Sequence, residues 1–137
     1  MTDDLVISDG LPTAAEYAEL RRHVGWNVVD PAAVARALTA SLAGVVARDR
    51  AGELVGMGRV VGDGGVYLYL QDVIVRRAWR GRGLGTTITE ALLDRIRALG
   101  ASGTFVGLMA AEGAAPFYER FGFVRRPDDR PGMWFTL

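Results

Sequence analysis

The chain has no cysteine and no lysine, and it has a single histidine in 137 residues. Without cysteine there is no disulfide frame, no thiolate metal site and no thiol nucleophile. One histidine leaves too few soft ligands for a protein-held zinc, so no metal is expected. Without lysine, a phosphate loop of the type Gly-x-x-x-x-Gly-Lys-Ser/Thr is excluded. An excess of charge is also lacking, since 16 acidic residues balance 16 basic ones, all arginine. No global field therefore draws the chain toward nucleic acid or an anionic membrane, and neither is expected as a partner. No signal peptide and no apolar run long enough to span a bilayer is visible, so a soluble cytoplasmic protein is expected.

What the chain does have is apolar content: half of its residues are hydrophobic, and its length suits one domain, residues 1–137, with a sizeable core. The pattern reads as a single α/β unit. A short strand is expected at residues 4–8, a helix at 12–23 and a second helix at 31–42, each helix led by a proline. Three strands follow at 45–48, 54–61 and 66–76, separated by turn-forming segments at 49–52 and 62–65. From Leu84, apolar residues recur at helical spacing (Ile88, Ala91, Leu92, Ile96, Leu99), and Gly100 stands at the C-terminal cap. A strand at 104–109, a short helix at 114–121 closed by Gly122, and two last strands at 123–126 and 133–137 complete the expected sheet.

The most informative segment is the junction Asp72-Val73-Ile74-Val75-Arg76-Arg77-Ala78-Trp79-Arg80-Gly81-Arg82-Gly83-Leu84-Gly85-Thr86. An apolar strand runs into an arginine- and glycine-rich loop that opens directly onto a helix. The first N–H groups of a helix lack partners within it, and the macrodipole makes that end positive. Glycines let the main chain curl around a phosphate, so the unit reads as a diphosphate cradle. A dinucleotide fingerprint fits poorly. Counting Gly-x-Gly-x-x-Gly from Gly81 puts Thr86 at the third glycine, and counting from Gly83 puts Ile88 there. The tight Gly62-Asp63-Gly64-Gly65 turn before the strand also points to an antiparallel meander.

The remaining pattern, Arg80-x-x-Gly83-x-Gly85 after a strand and at a helix start, resembles the GNAT superfamily of acyl-CoA-dependent N-acetyltransferases. The later Phe117-Tyr118-Glu119-Arg120-Phe121-Gly122-Phe123 is similar to that family's FYxxxGF motif, in the expected order and spacing. The likeness covers residues 43–137, with 1–42 matching the variable N-terminal part that relatives use for acceptor specificity. It implies an α/β fold with a mixed, mostly antiparallel sheet of about six to seven strands flanked by about four helices.

The resemblance also implies a chemistry, transfer of acetyl from acetyl-CoA to a primary amine of a small molecule by direct attack in a ternary complex. Main-chain groups of Val73, Ile74 and Val75 would orient pantetheine. The loop amides of Arg80, Gly81, Arg82, Gly83, Leu84, Gly85 and Thr86 would hold the diphosphate, with side chains of Arg76, Arg77, Arg80 and Arg82 available for other phosphate oxygens. Tyr118 resembles the tyrosine that protonates the departing thiolate, against the simpler reading that it packs in the core. Asp72 matches one carboxylate of a Glu-Asp pair found in glucosamine-6-phosphate N-acetyltransferases. It is either a base that helps deprotonate the amine or a structural hydrogen-bonding group, and in the second case a water is the base. Trp26 lies where relatives build acceptor pockets and is a candidate substrate contact. His23, near a helix end, reads as an exposed residue or a polar cap rather than a base. A non-catalytic acyl-CoA-sensing module and a protein holding some other nucleotide are the alternatives. A homodimer through the apolar Met133-Trp134-Phe135 end is a further expectation, with burial in the monomer as the simpler one.

Overall fold

The computed structural model describes residues 4–137. Strand β1 (Val6–Asp9) is followed by helices α1 (Ala14–His23) and α2 (Pro31–Ala40), then by β2 (Ala43–Arg48), β3 (Leu54–Gly62) and β4 (Tyr67–Val75). Helix α3 (Leu84–Leu99), β5 (Phe105–Gly107) and the short α4 (Ala115–Glu119) complete the order. The five strands form one sheet in the order β1-β2-β3-β4-β5. The first three pairings are antiparallel, and β4 pairs with β5 in parallel.

Local chemistry accounts for the helix starts. Thr13 caps α1 in a reciprocal box, its hydroxyl accepting from the Glu16 N–H at 3.1 Å while the Glu16 carboxylate accepts from the Thr13 N–H at 2.9 Å. Asp30 caps α2 by accepting from the N–H groups of Ala32 and Ala33, with Pro31 in the first turn, where its missing N–H costs nothing. The β3–β4 hairpin closes around Asp63, whose carboxylate accepts from the N–H groups of Gly65, Val66 and Tyr67.

The sheet buries both faces. On one side lies α3, whose Leu84, Ile88, Leu92 and Ile96, spaced by four, pack with Val45, Val55, Val60, Leu68 and Leu70. On the other lie α1 and α2, where Tyr17, Leu20, Val34 and Leu38 meet Val46, Leu54, Met57 and Ile74.

One expectation is overturned. The sheet has five strands among the described residues, and neither 123–126 nor 133–137 joins it. Val124, Met133, Trp134, Phe135 and Leu137 are all more than three-quarters exposed. The segment between them, Pro127-Asp128-Asp129-Arg130-Pro131, has two prolines without N–H donors and three charged residues. It folds instead into its own turn, with the Arg130 N–H donating to the Pro127 carbonyl at 2.9 Å. A hollow of about 530 Å³ remains beside β5, bordered by Leu93 and Ile96 of α3 and by Phe121 and Phe123.

Candidate active site

Strand β4 positions the site by changing its pairing along its length. Tyr67, Leu68 and Tyr69 pair with Phe105, Val106 and Gly107 of β5, and no later residue of β4 does. On the other side, the register with β3 slips between Met57 and Arg59, so Asp72 and Val73 together face the single residue Gly58. This is a β-bulge, which bends a strand and re-aims its side chains. Asp72 sits in it at φ 55°, the one non-glycine residue with positive φ among the described residues. Past the bulge, Ile74 and Val75 pair with Met57 and Gly56 of β3, and among the described residues no strand pairs with Val73, Ile74 or Val75 on the other edge.

The bulge turns the Asp72 carboxylate into a buried polar cluster. Its Oδ2 accepts from the Tyr17 hydroxyl at 2.7 Å and from Arg59 Nε at 2.6 Å, and its Oδ1 accepts from Arg21 Nη1 at 3.4 Å. The side chains of Asp72, Arg59 and Arg21 are only 7%, 13% and 15% exposed. Burial pushes the Tyr17 phenol above its ordinary pKa, and the adjacent Asp72 charge adds to this, so Tyr17 stays a donor. Arg59 also donates to the Ser41 hydroxyl at 3.0 Å, which fastens β3 to the end of α2. Arg21 reaches Asn27 through Nη2 at 2.7 Å and lies over the Trp26 ring. Trp26, half-buried against the α1–α2 side of the core, is thus joined to Asp72 through Arg21.

Beyond β4, a one-turn 3-10 segment (Arg77–Trp79) leads to the glycine loop and α3. Gly81 and Gly83 take φ of 78° and 80°, which glycine adopts without strain, and a Cβ at either position would meet nothing within 4 Å. The loop therefore leaves room for a ligand against the main chain, ahead of the unpartnered N–H groups of the first turn of α3. Here lies a cleft of about 320 Å³, walled by Val75, Trp79, Arg80, Gly81, the segment from Gly83 to Thr86, Phe117 and Arg120 but not by Arg82, with no carboxylate in its lining. Gly85 contributes fit: a Cβ there would rest 3.7 Å from the Phe117 ring. Arg80 folds back so that Nε donates to the Val75 carbonyl at 3.0 Å, tying the loop to the end of β4. The Arg82 guanidinium stacks 4.8 Å from the Trp79 ring centroid.

Not every expected arginine faces this cleft. Arg76 points the other way, bound to Glu19 at 2.7 Å and to the Leu54 carbonyl at 3.1 Å, so its charge fastens α1 to the sheet. The Arg77 N–H donates to His23 Nε2 at 3.2 Å, so the imidazole accepts a main-chain hydrogen bond at the start of the 3-10 segment. Arg120, which the motif reading passed over, lines the cleft instead. Tyr118 is half-buried on α4, edge-on to Phe117 and Phe123, and burial pushes its phenol above the ordinary value. It therefore keeps its proton at neutral pH.

A sheet whose β4 leaves its parallel partner partway along and a glycine cradle at a helix start set the fold beside those of known proteins. The profile of the GNAT acetyltransferase domain matches residues 13–136. The chain belongs to the GNAT acetyltransferase family. It superposes on a Staphylococcus aureus protein of unknown function with a TM-score of 0.90, at 29% identity over 97% of this chain and 99% of that one. A GNAT-family acetyltransferase from Streptococcus pneumoniae gives a TM-score of 0.80 at 26% identity, covering 97% and 98% of the two chains. Glucosamine-6-phosphate N-acetyltransferase from Arabidopsis thaliana, at 17% identity and a TM-score of 0.68, shares the fold, with 96% of this chain and 99% of that one covered. Among curated sequences, the uncharacterised N-acetyltransferase ycf52 of Pyropia yezoensis is 30% identical over 88 residues, 64% of this chain and 49% of that protein. The chain spans about half the length of the curated relatives it matches. Among the described residues no helix is long and apolar enough to cross a membrane, and no group of three or more His, Cys, Asp or Glu could hold a metal.

Proposed function

We propose that this domain transfers an acetyl group from acetyl-CoA to a primary amine of a small molecule, by direct attack of the amine on the thioester in a ternary complex in the cytoplasm. The observation that carries the reading is the adjacency of two features. A carboxylate-free glycine cleft sits at the start of α3, and the one-sided stretch of β4 ends at its rim. The first suits a diphosphate and the second an extended amide-bearing arm.

In this reading the main chain of Val73, Ile74 and Val75 receives pantetheine, and the amides from Arg80 through Thr86 receive the diphosphate. Tyr118 donates a proton to the departing thiolate, a role its raised pKa suits by keeping it protonated. For the proton lost by the amine, the geometry favours water over Asp72. That carboxylate already accepts from Tyr17, Arg59 and Arg21, and it would have to give up charge-assisted bonds to act as a base. Asp72 instead holds the bulge in place, its bonds offsetting a left-handed backbone that costs about 1–2 kcal/mol. Trp26, anchored through Arg21, contacts the acceptor. The exposed Met133, Trp134 and Phe135 support a homodimer, since single chains rarely leave such a cluster bare.

The test is a thermal melt with acetyl-CoA, CoA, NAD and ATP in parallel, followed by an amine screen read by thiol release, which the cysteine-free chain leaves without background. A ligand at 100 times its Kd adds about 2.7 kcal/mol of apparent stability. A rise with the CoA species alone is expected. No rise with either CoA species sinks the reading, and binding without turnover on any amine favours the sensing module.

A further inference from the structure

We propose that Arg120 of α4 is a ligand of the diphosphate, closing the cradle from the wall opposite the glycine loop. This rests on the acyl-CoA reading above. Arg120 lines the cleft, and its Nη2 lies 3.5 Å from the hydroxyl of Thr86 in the first turn of α3. Its guanidinium stacks over the rings of Phe117 and Phe121, with centroid distances of 5.4 and 5.7 Å. Stacking restrains the side chain without neutralising it.

Its charge has no carboxylate partner among the described residues. Glu90 and Asp94 line a second hollow that Arg120 also borders, yet neither comes within ion-pair distance of it, and Asp94 pairs with Arg97. Arg76 is the contrast: it sits near the loop in sequence, but Glu19 and the Leu54 carbonyl consume its guanidinium. Arg120 and Arg80 are the charged side chains lining the cleft, one on α4 and one on the loop, with the α3 amides at the same site. Two cations on different elements, facing a helix start with no anion between them, suit a doubly charged group better than a single phosphate.

Binding of CoA and of 3′-dephospho-CoA to the wild type, Arg120→Gln and Arg120→Lys, measured by calorimetry, tests this. Glutamine keeps the stacking bulk and removes the charge, and Arg120 is exposed, so melting without ligand should not change. Loss of a charge-assisted contact predicts that Arg120→Gln binds both ligands about 10- to 100-fold more weakly, with Arg120→Lys recovering part of the loss. A loss seen with CoA but absent with 3′-dephospho-CoA overturns the proposal by moving the contact to the 3′-phosphate. Unchanged binding of both ligands overturns it outright. If the wild type itself binds neither ligand, the acyl-CoA reading has failed instead.

Discussion

Strand β4 is flanked on both sides over Tyr67, Leu68 and Tyr69 and on only one side from Leu70 onward. The first stretch holds Leu68, completely buried, and leads back into the hairpin around Asp63. The second holds a bulge, a left-handed aspartate and a run of strand whose outer edge pairs with no strand among the described residues. One strand thus serves two purposes. Where its backbone is paired on both edges it contributes stability, and where a neighbouring strand is withheld its outer edge is left to other partners, such as the Arg80 side chain that donates to the Val75 carbonyl. The cost of the open stretch is met on the α1–α2 side, where two arginines and a tyrosine hold Asp72.

That division predicts that substitutions in the proposed chemical machinery remove turnover and substitutions in the closed stretch remove stability. The largest effect is expected for Tyr118→Phe. It should lower kcat by about 10²-fold or more, with CoA affinity and melting little changed. A general acid works while it holds its proton, so activity should fall as pH rises through the phenol pKa. Burial places that limb above the ordinary tyrosine value, and the phenylalanine variant should lack it. Unchanged kcat in Tyr118→Phe, which keeps the ring and its contacts with Phe117 and Phe123, would mean that the ring packs and does not donate. Next comes Leu68→Ala, where an empty cavity at a fully buried site should cost about 2–5 kcal/mol in urea unfolding. The protein that remains folded should bind CoA normally. Weakened binding there would show that the two stretches are not independent.

The two stretches were unequally legible in the sequence. Helix α3 and the glycine loop could be read from spacing alone, because a period near four and φ-permissive glycines act locally. The bulge could not, since the alternation of a strand does not mark which residue is extra. One signal was present: Arg59 lies in an otherwise apolar strand, Leu54–Gly62, and a buried guanidinium requires an anion. Its partner Asp72 is 13 residues away, across a hairpin. Arg120 was equally visible but lay between the positions of the motif, and its relevance depends on where α4 docks. The two strands expected at the C-terminal end read as strands because apolar residues cluster there. A strand needs an edge to pair with, and nothing local tells whether Met133, Trp134 and Phe135 reach one.

Gly58 lies opposite the bulge in the open stretch, and it sharpens the comparison. A Cβ at this position would come 2.4 Å from Leu92 Cδ1 on α3 and 3.3 Å from Val73 Cγ2 on β4. Gly58→Ala should therefore cost about 1–3 kcal/mol by overpacking. Because the clash also displaces Val73, CoA binding should weaken along with stability, unlike in Leu68→Ala. A stability loss with unchanged binding would mean that α3 absorbs the whole displacement.

The smallest effect concerns how the closed face is fastened. Glu16 on α1 accepts from both terminal nitrogens of Arg48 on β2, at 2.6 and 2.9 Å, and the Arg48 contact holds its pKa at about 2, against 4.5 ordinarily. A depressed carboxylate pKa contributes stability that is fully present above the unfolded value. It is lost as pH falls from about 4.5 through about 2. Both side chains are close to 30% exposed, so solvent screens the pair, and about 1 kcal/mol is expected rather than the several that the full shift would give. Glu16→Gln should be less stable than the wild type by about that amount at pH 7, and the gap should close as the acid limb is descended. A gap that persists unchanged below pH 2 would assign the loss to something other than the ionised pair, since a glutamine oxygen still accepts from the Thr13 N–H, and α1 would then be held by its capping box and its buried Leu20 more than by charge.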